Sequence, residues 1–127
     1  MLDTDTVSYA IRGDGGVGDR LREHQQAQVC ISSITLCELR YGMRKIRSAR
    51  LNRLIDSFLL DVSVAPLDAA AANRFGEVAH FLAQRGTPIG EFDTLLVAHA
   101  LSLKATLVTN NTKHFTRVPG LKVENWF

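Results

Sequence analysis

VSVAPLDAAAANRFGEVAHFLAQRG, residues 62–86, carries a strand, a stop, a cap and a helix in that order. The run Val62–Ala65 is β-branched and apolar, and Pro66 ends it because proline has no N–H for a ladder. Asp68 is a natural N-cap for the alanine-rich segment that follows. Val78, Phe81 and Leu82 recur at helical spacing, and Gly86 closes the helix.

The same alternation extends in both directions. Upstream, QVCISS (28–33) reads as a strand running into a helix, with Ser32 or Ser33 as the cap. ITLCELRYGMRKI (34–46) carries Ile34, Leu36, Leu39 and Met43 as a helical stripe, and ARLNRLIDSFLLD (49–61) is a second helix. DRLREHQQ (19–26) is helical in pattern, GDGGVG (13–18) is a loop without a phosphate-loop ending, and TVSYAIRG (6–13) is a short helix ending at Gly13. MLDT (1–4) is a very short first strand. Downstream, IGEFDTLLVAHALSLK (89–104) is a mostly apolar helix, ATLVTN (105–110) a buried strand and LKVENW (121–126) a last short one. Strands that are continuous apolar runs between helices predict an α/β fold, a parallel sheet of about five strands with helices on both faces. Length predicts one domain over residues 1–127.

Composition is that of an ordinary globular chain, with 46% apolar residues and a formal charge of +2. The charge alone says little about nucleic acid. Cys30 and Cys37 lack metal-ligand spacing and are expected to be buried, reduced thiols. No apolar stretch reaches the ~20 residues of a membrane span, and no secretory signal opens the sequence. A cytoplasmic location without membrane contact is the expectation.

In a sheet of this kind, ligands meet the carboxyl ends of the strands. Four polar residues are expected there. Asp3 follows the first strand, Glu38 lies in the helix after CIS, Asp93 opens the helix after Gly90, and Asn111 follows the strand TLVT. Each has a plainer role. Asp3 can cap a helix, Asp93 can complement a helix dipole, and Asn111 can serve a turn. Glu38, set among Leu36, Cys37 and Leu39, is harder to dismiss, because a buried carboxylate is costly unless paired or bound to a cation. Oxygen-only ligands at one edge suit Mg2+ or Mn2+ better than zinc.

In this order the residues resemble the PIN-domain ribonucleases, and within them the VapC toxins of bacterial toxin–antitoxin pairs. The similar segments are MLDTDTVSY (1–9), ISSITLCELRYG (31–42), PLDAAAANRFGE (66–77), GTPIGEFDTLLVAHALSL (86–103) and TLVTNNTKHFTRVPGLKVENW (106–126). The resemblance implies an endoribonuclease dependent on Mg2+ or Mn2+, with RNA as substrate and tRNA among its targets. It also implies inhibition by a cognate VapB-like antitoxin, and a homodimer or larger toxin–antitoxin assembly. Asp3 and Asp93 look like principal metal ligands, with Glu38 as the third catalytic acid. Thr109 and Asn111 match a supporting T-x-D/N segment. The departure is Asp5, where similar proteins carry Asn; it adds a negative charge beside the site.

The stretch RYGMRKIRSARLNR (40–53) carries six cations and no acid. It reads as a solvated helix surface or, through Arg40, Arg44, Lys45 and Arg47, as a phosphate-binding track next to Glu38. Tyr41 offers a ring on which an unpaired base stacks. His99 and His114 are tempting general bases, and both are assigned elsewhere: His99 to packing, His114 to a polar loop. Two rival readings remain. Asp3 and Asp5 together resemble the opening motif of aspartate-dependent phosphatases, but the late segment TNNTKHF lacks their acidic pair. A PIN-like RNA- or protein-binding module with weak catalysis is favoured by Asn111 and opposed by the three carboxylates.

Overall fold

The structure, a computed structural model, describes residues 1–127. Helix α1 spans Thr4–Arg12, α2 Val17–Arg22, α3 Ser33–Ile46 and α4 Ala49–Asp61. They are followed by α5 at Ala69–Gln84, α6 at Glu91–Ser102 and the single turn α7 at Thr112–Phe115. Strand β1 spans Cys30–Ser32, β2 Ser63–Ala65, β3 Leu107–Val108 and β4 Val123–Glu124.

The caps follow the sequence signals. Asp68 Oδ1 accepts from the Ala71 N–H at 3.0 Å at the head of α5. Ser32 Oγ accepts from Ile34 N at 3.0 Å, and so takes the α3 cap ahead of Ser33. Gly13 closes α1 at φ 78°, a left-handed conformation that favours glycine. The segment 13–26 departs from its sequence reading. α2 begins at Val17 and stops at Arg22, and residues 26–28 form a separate 3-10 turn. Val17 is buried in the core, so packing draws the helix start ahead of Asp19.

Every strand pairing is parallel. β1 lies beside β2, and β3 beside β4. Leu2 joins the two ladders by bridging Ile31 on one side and Val108 on the other. The sheet order is therefore β2–β1–Leu2–β3–β4, five positions with a one-residue centre. The expected first strand is this short because Asp3 already caps α1.

Side chains alternate across the sheet with period 2. Met1 and Leu107, flanked by Cys30, Ala65 and Val123, pack with Val78, Leu82, Leu96 and Val97 from α5 and α6. Leu2, Ile31 and Val108 face the opposite cluster, with Val7, Leu39 and Ile55 from α1, α3 and α4. These two clusters are the two interfaces of a three-layer α/β sandwich, one between the sheet and each helical layer. Helix α6 is buried along Leu96–Ala100, which explains its apolar body. His99 lies within it, and its Nδ1 stands 2.8 Å from Ser32 Oγ. Burial pushes the His99 pKa down, so this Ser–His pair ties α6 to β1 as a neutral packing element. Cys30 is half-buried, whereas Cys37 is exposed, contrary to the expectation for both thiols. On α3 the packed side holds Thr35 and Leu39, which turns Cys37 outward.

Candidate metal centre

The sheet order reverses between Leu2 and β3, and a crevice opens at the carboxyl ends of adjacent strands at such a switch point. Asp3 follows Leu2 and Thr109 follows Val108, so the two residues sit side by side there. The Asp3 N–H donates to Val108 O at 3.1 Å. Asp3 Oδ1 accepts from Thr6 N at 2.8 Å, which makes it the α1 N-cap. The Thr109 side chain beside it favours its charged form. Asp3 is only 8% exposed. Burial pushes its pKa up, Thr109 and the Thr6 hydrogen bond oppose this, and the Asp5 charge adds to it. Cap and candidate ligand are thus one residue: the cap uses one carboxylate oxygen and holds the group in place.

Glu38 reaches the same corner from α3. Its Oε1 accepts from Thr4 Oγ1 at 2.7 Å, one residue along from Asp3. It is half-buried rather than enclosed. Asp93 stands in the first turn of α6, whose N-cap is Gly90 at φ 92°. Its side chain is 43% exposed. Burial raises the Asp93 pKa, the charge and hydrogen bond of His114 lower it, and Asp5 raises it again. Asp5 itself is exposed. It acts electrostatically on both Asp3 and Asp93, which places all three at one corner.

His114 is the residue that sequence reasoning misplaced. Its Nε2 lies 3.1 Å from Asp93 Oδ2 and 2.9 Å from Ile89 O. It belongs to α7, a turn held down by the buried Phe115, and not to a free loop. The available signal was position: TNNTKHF starts at the carboxyl end of β3, the same edge as the acids. Asn111 is exposed and stands at the N-terminal boundary of α7 without a side-chain cap bond, and its N–H donates to Thr109 Oγ1 at 3.1 Å. It braces the residue that in turn braces Asp3.

The basic run divides over two faces of α3. At ~100° per residue, Lys45 falls within ~20° of Glu38 and Tyr41 within ~60°, whereas Arg40 is ~160° away and Arg44 ~120°. Arg40 pairs with Asp56 of α4 at 2.9 Å. Arg44 and Arg47 line the groove between α3 and α4 with Met43 and Asn52. Lys45 and Tyr41 are exposed on the Glu38 side.

Asp3, Asp5 and Glu38 have no Lys, Arg or His within ion-pair distance, and Asp93 has only His114. The donors are therefore oxygens with uncompensated charge, which fits a hard divalent cation. Asp3 lies buried while Glu38 and Asp93 are half-buried, and no three carboxylates stand at a spacing that already encloses an ion. Glu38 meets Thr4 through Oε1 and Asp93 meets His114 through Oδ2, so each carboxylate keeps its second oxygen for a cation.

The PIN domain model matches residues 1–121. A tRNA(fMet)-specific endonuclease VapC from Shigella flexneri is 40% identical over 99% of this chain and 96% of its own length. Ribonuclease VapC2 from Rickettsia felis is 38% identical over the same shares. The crystal structure of VapBC2 from Rickettsia felis, bound to a DNA fragment from their promoter, superposes with a TM-score of 0.92 at 36% identity. That match covers 100% of this chain and 98% of the solved one. DNA-bound VapBC from Salmonella typhimurium superposes at 0.90, also at 36% identity, over 100% of this chain and 97% of the solved one. Fold, edge geometry and likeness over the full length agree: the chain belongs to the PIN-domain family, as a member of its VapC type.

Proposed function

We propose that the chain is a toxin endoribonuclease that hydrolyses RNA phosphodiesters with Mg2+ or Mn2+, takes tRNA as its substrate class, and is inhibited by a VapB-like antitoxin in a larger assembly. The carrying observation is Asp3, a carboxylate buried at the switch point with neutral hydrogen-bond donors and no cationic partner. Burying such a charge is unfavourable unless a cation compensates it. Support for the substrate and partner comes from the names of the relatives, tRNA endonuclease and VapBC complex.

Asp3, Glu38 and Asp93 would hold the cation. When bound, it lowers the pKa of water and neutralises charge developing on phosphorus. The remaining work falls to the chain. Asp3 is oriented by its cap bond and by Thr109, which Asn111 supports in turn. Thr4 aims Glu38. Asp5 makes the corner more negative, which favours cation binding over the empty state. Lys45 and Tyr41, on the Glu38 side of α3, would receive a backbone phosphate and an unpaired base.

The test is cutting of labelled tRNAs by protein purified free of antitoxin, in Mg2+, in Mn2+ and in EDTA. Cleavage is expected with either metal, none in EDTA, and recovery when metal is restored. An absence of metal-dependent cutting across several tRNAs and mRNAs would overturn the reading, and so would hydrolysis of a generic phosphomonoester instead.

The two faces of α3 make a separate prediction. Each lost phosphate contact on single-stranded RNA flattens the salt slope of binding by ~0.7. Lys45→Gln is expected to flatten it by about that much. The pair Arg44→Gln with Arg47→Gln is expected to flatten it by ~1.4 where RNA also enters the α3–α4 groove. Fluorescence anisotropy against KCl reads both. An unchanged slope for the arginine pair would return that groove to a solvated surface.

A further inference from the structure

His114 Nε2 faces two oxygens at once, the Ile89 carbonyl at 2.9 Å and Asp93 Oδ2 at 3.1 Å. A carbonyl oxygen only accepts, so the Nε2 atom carries the hydrogen and the bond is shared between the two oxygens. The imidazole is therefore an Nε2–H donor. Three elements converge on it: α7, the approach to α6 at Ile89, and the first turn of α6. Ile89 and Phe115 are both buried in the core cluster beneath, so the ring's position is set from below. Phe115 also meets the ring edge-on at 5.3 Å. The His114 side chain is 26% exposed, so water competes weakly for the shared hydrogen.

We propose that His114 is a positioning residue for Asp93: its Nε2–H, anchored on the Ile89 carbonyl, sets the orientation in which the Asp93 carboxylate meets a divalent cation. This rests on the reading of Asp93 as a ligand. A ligating carboxylate needs its second interaction to fix its direction, and removing such an outer partner typically costs ~10–100-fold in metal affinity. His114 donates one hydrogen to the carboxylate and takes no proton in this role. The lowering of the Asp93 pKa by His114 is consistent with it, because the bond favours the charged form that binds metal.

The experiment measures Mn2+ affinity of the full-length protein by EPR titration, without RNA. His114→Phe keeps the ring and removes the donor, and the Kd is expected to rise at least ~10-fold. His114→Gln restores an N–H near the Nε2 position and is expected to stay within ~3-fold of wild type. Melting curves in EDTA check that each variant is folded, and His114→Ala stands in if the phenylalanine variant is not. An unchanged Kd in His114→Phe overturns the proposal, as does an equal loss in the phenylalanine and glutamine variants. Asp93→Asn runs alongside. If it leaves Mn2+ affinity intact, the ligand assignment itself falls. If it abolishes binding while His114→Phe does not weaken it, only the positioning role falls.

Discussion

Asp3→Asn is expected to lower RNA cleavage by at least ~100-fold, beyond the loss typical of an outer partner, and to raise the melting temperature of the metal-free protein. Both effects have one cause. Asp3 is buried, and its pKa is raised chiefly by that burial. A carboxyl whose folded pKa lies above its unfolded value of 3.8 gives its stability below 3.8 and loses it as pH rises through the folded pKa. At neutral pH its charge therefore opposes folding until a cation arrives. Asparagine has the same shape, keeps an oxygen for the Thr6 N–H and caps helices about as well as aspartate. It removes the charge and leaves the cap.

Each 1 kcal/mol moves the melting point of a domain this size by ~4 °C, so the rise is readable by calorimetry in EDTA at pH 7.5. The gap between variant and wild type should close as pH falls toward 3.8. A melting point equal to or below wild type at pH 7.5 would contradict the uncompensated charge. Cleavage within tenfold of wild type would contradict the ligand role. A gain in stability with a loss of function is the pattern of a site whose residues are kept for chemistry.

Leu2→Ala addresses the fold. Leu2 is 1% exposed and is the one residue that joins the two strand ladders. Alanine keeps the main-chain bonds, Leu2 N to Cys30 O at 2.9 Å and Val108 N to Met1 O at 2.8 Å. It leaves a cavity against Ile31, Val108 and Val7. Leucine-to-alanine changes in well-packed cores cost ~2–5 kcal/mol, which here means a melting point lower by ~8–20 °C. Leu60→Ala on α4, where the side chain is 87% exposed, is the control and should fall within ~0.5 kcal/mol of wild type. Denaturant unfolding of both variants measures the difference. A cost below ~1 kcal/mol for Leu2→Ala would show that the junction does not depend on this side chain.

Local signals located most of the helices. ARLNRLIDSFLLD matches α4 residue for residue, because its apolar spacing and the flanking Ser48 and Val62 depend on nothing distant. The caps at Ser32 and Asp68 were legible for the same reason: a side chain bonding an N–H two or three residues away is a local event. Segment 13–26 was misread because burial of Val17, a non-local contact, sets where α2 begins.

The sequence by itself also determined which acids were candidates, since Asp3 after the first strand, Glu38 in the helix after CIS and Asp93 at the head of a helix are a matter of order along the chain. Only the tertiary structure decided how they relate. It set Glu38 against Thr4, brought Asp5 within electrostatic reach of both Asp3 and Asp93, and turned Lys45 and Arg40 to different faces of one helix. It also moved His114 from a presumed loop to the carboxylate of Asp93, 21 residues away in sequence. The physical reason is the same throughout. Periodicity and capping act within one or two turns, whereas the crevice is assembled by parallel strand order, and the switch beside Leu2 is written in no single segment.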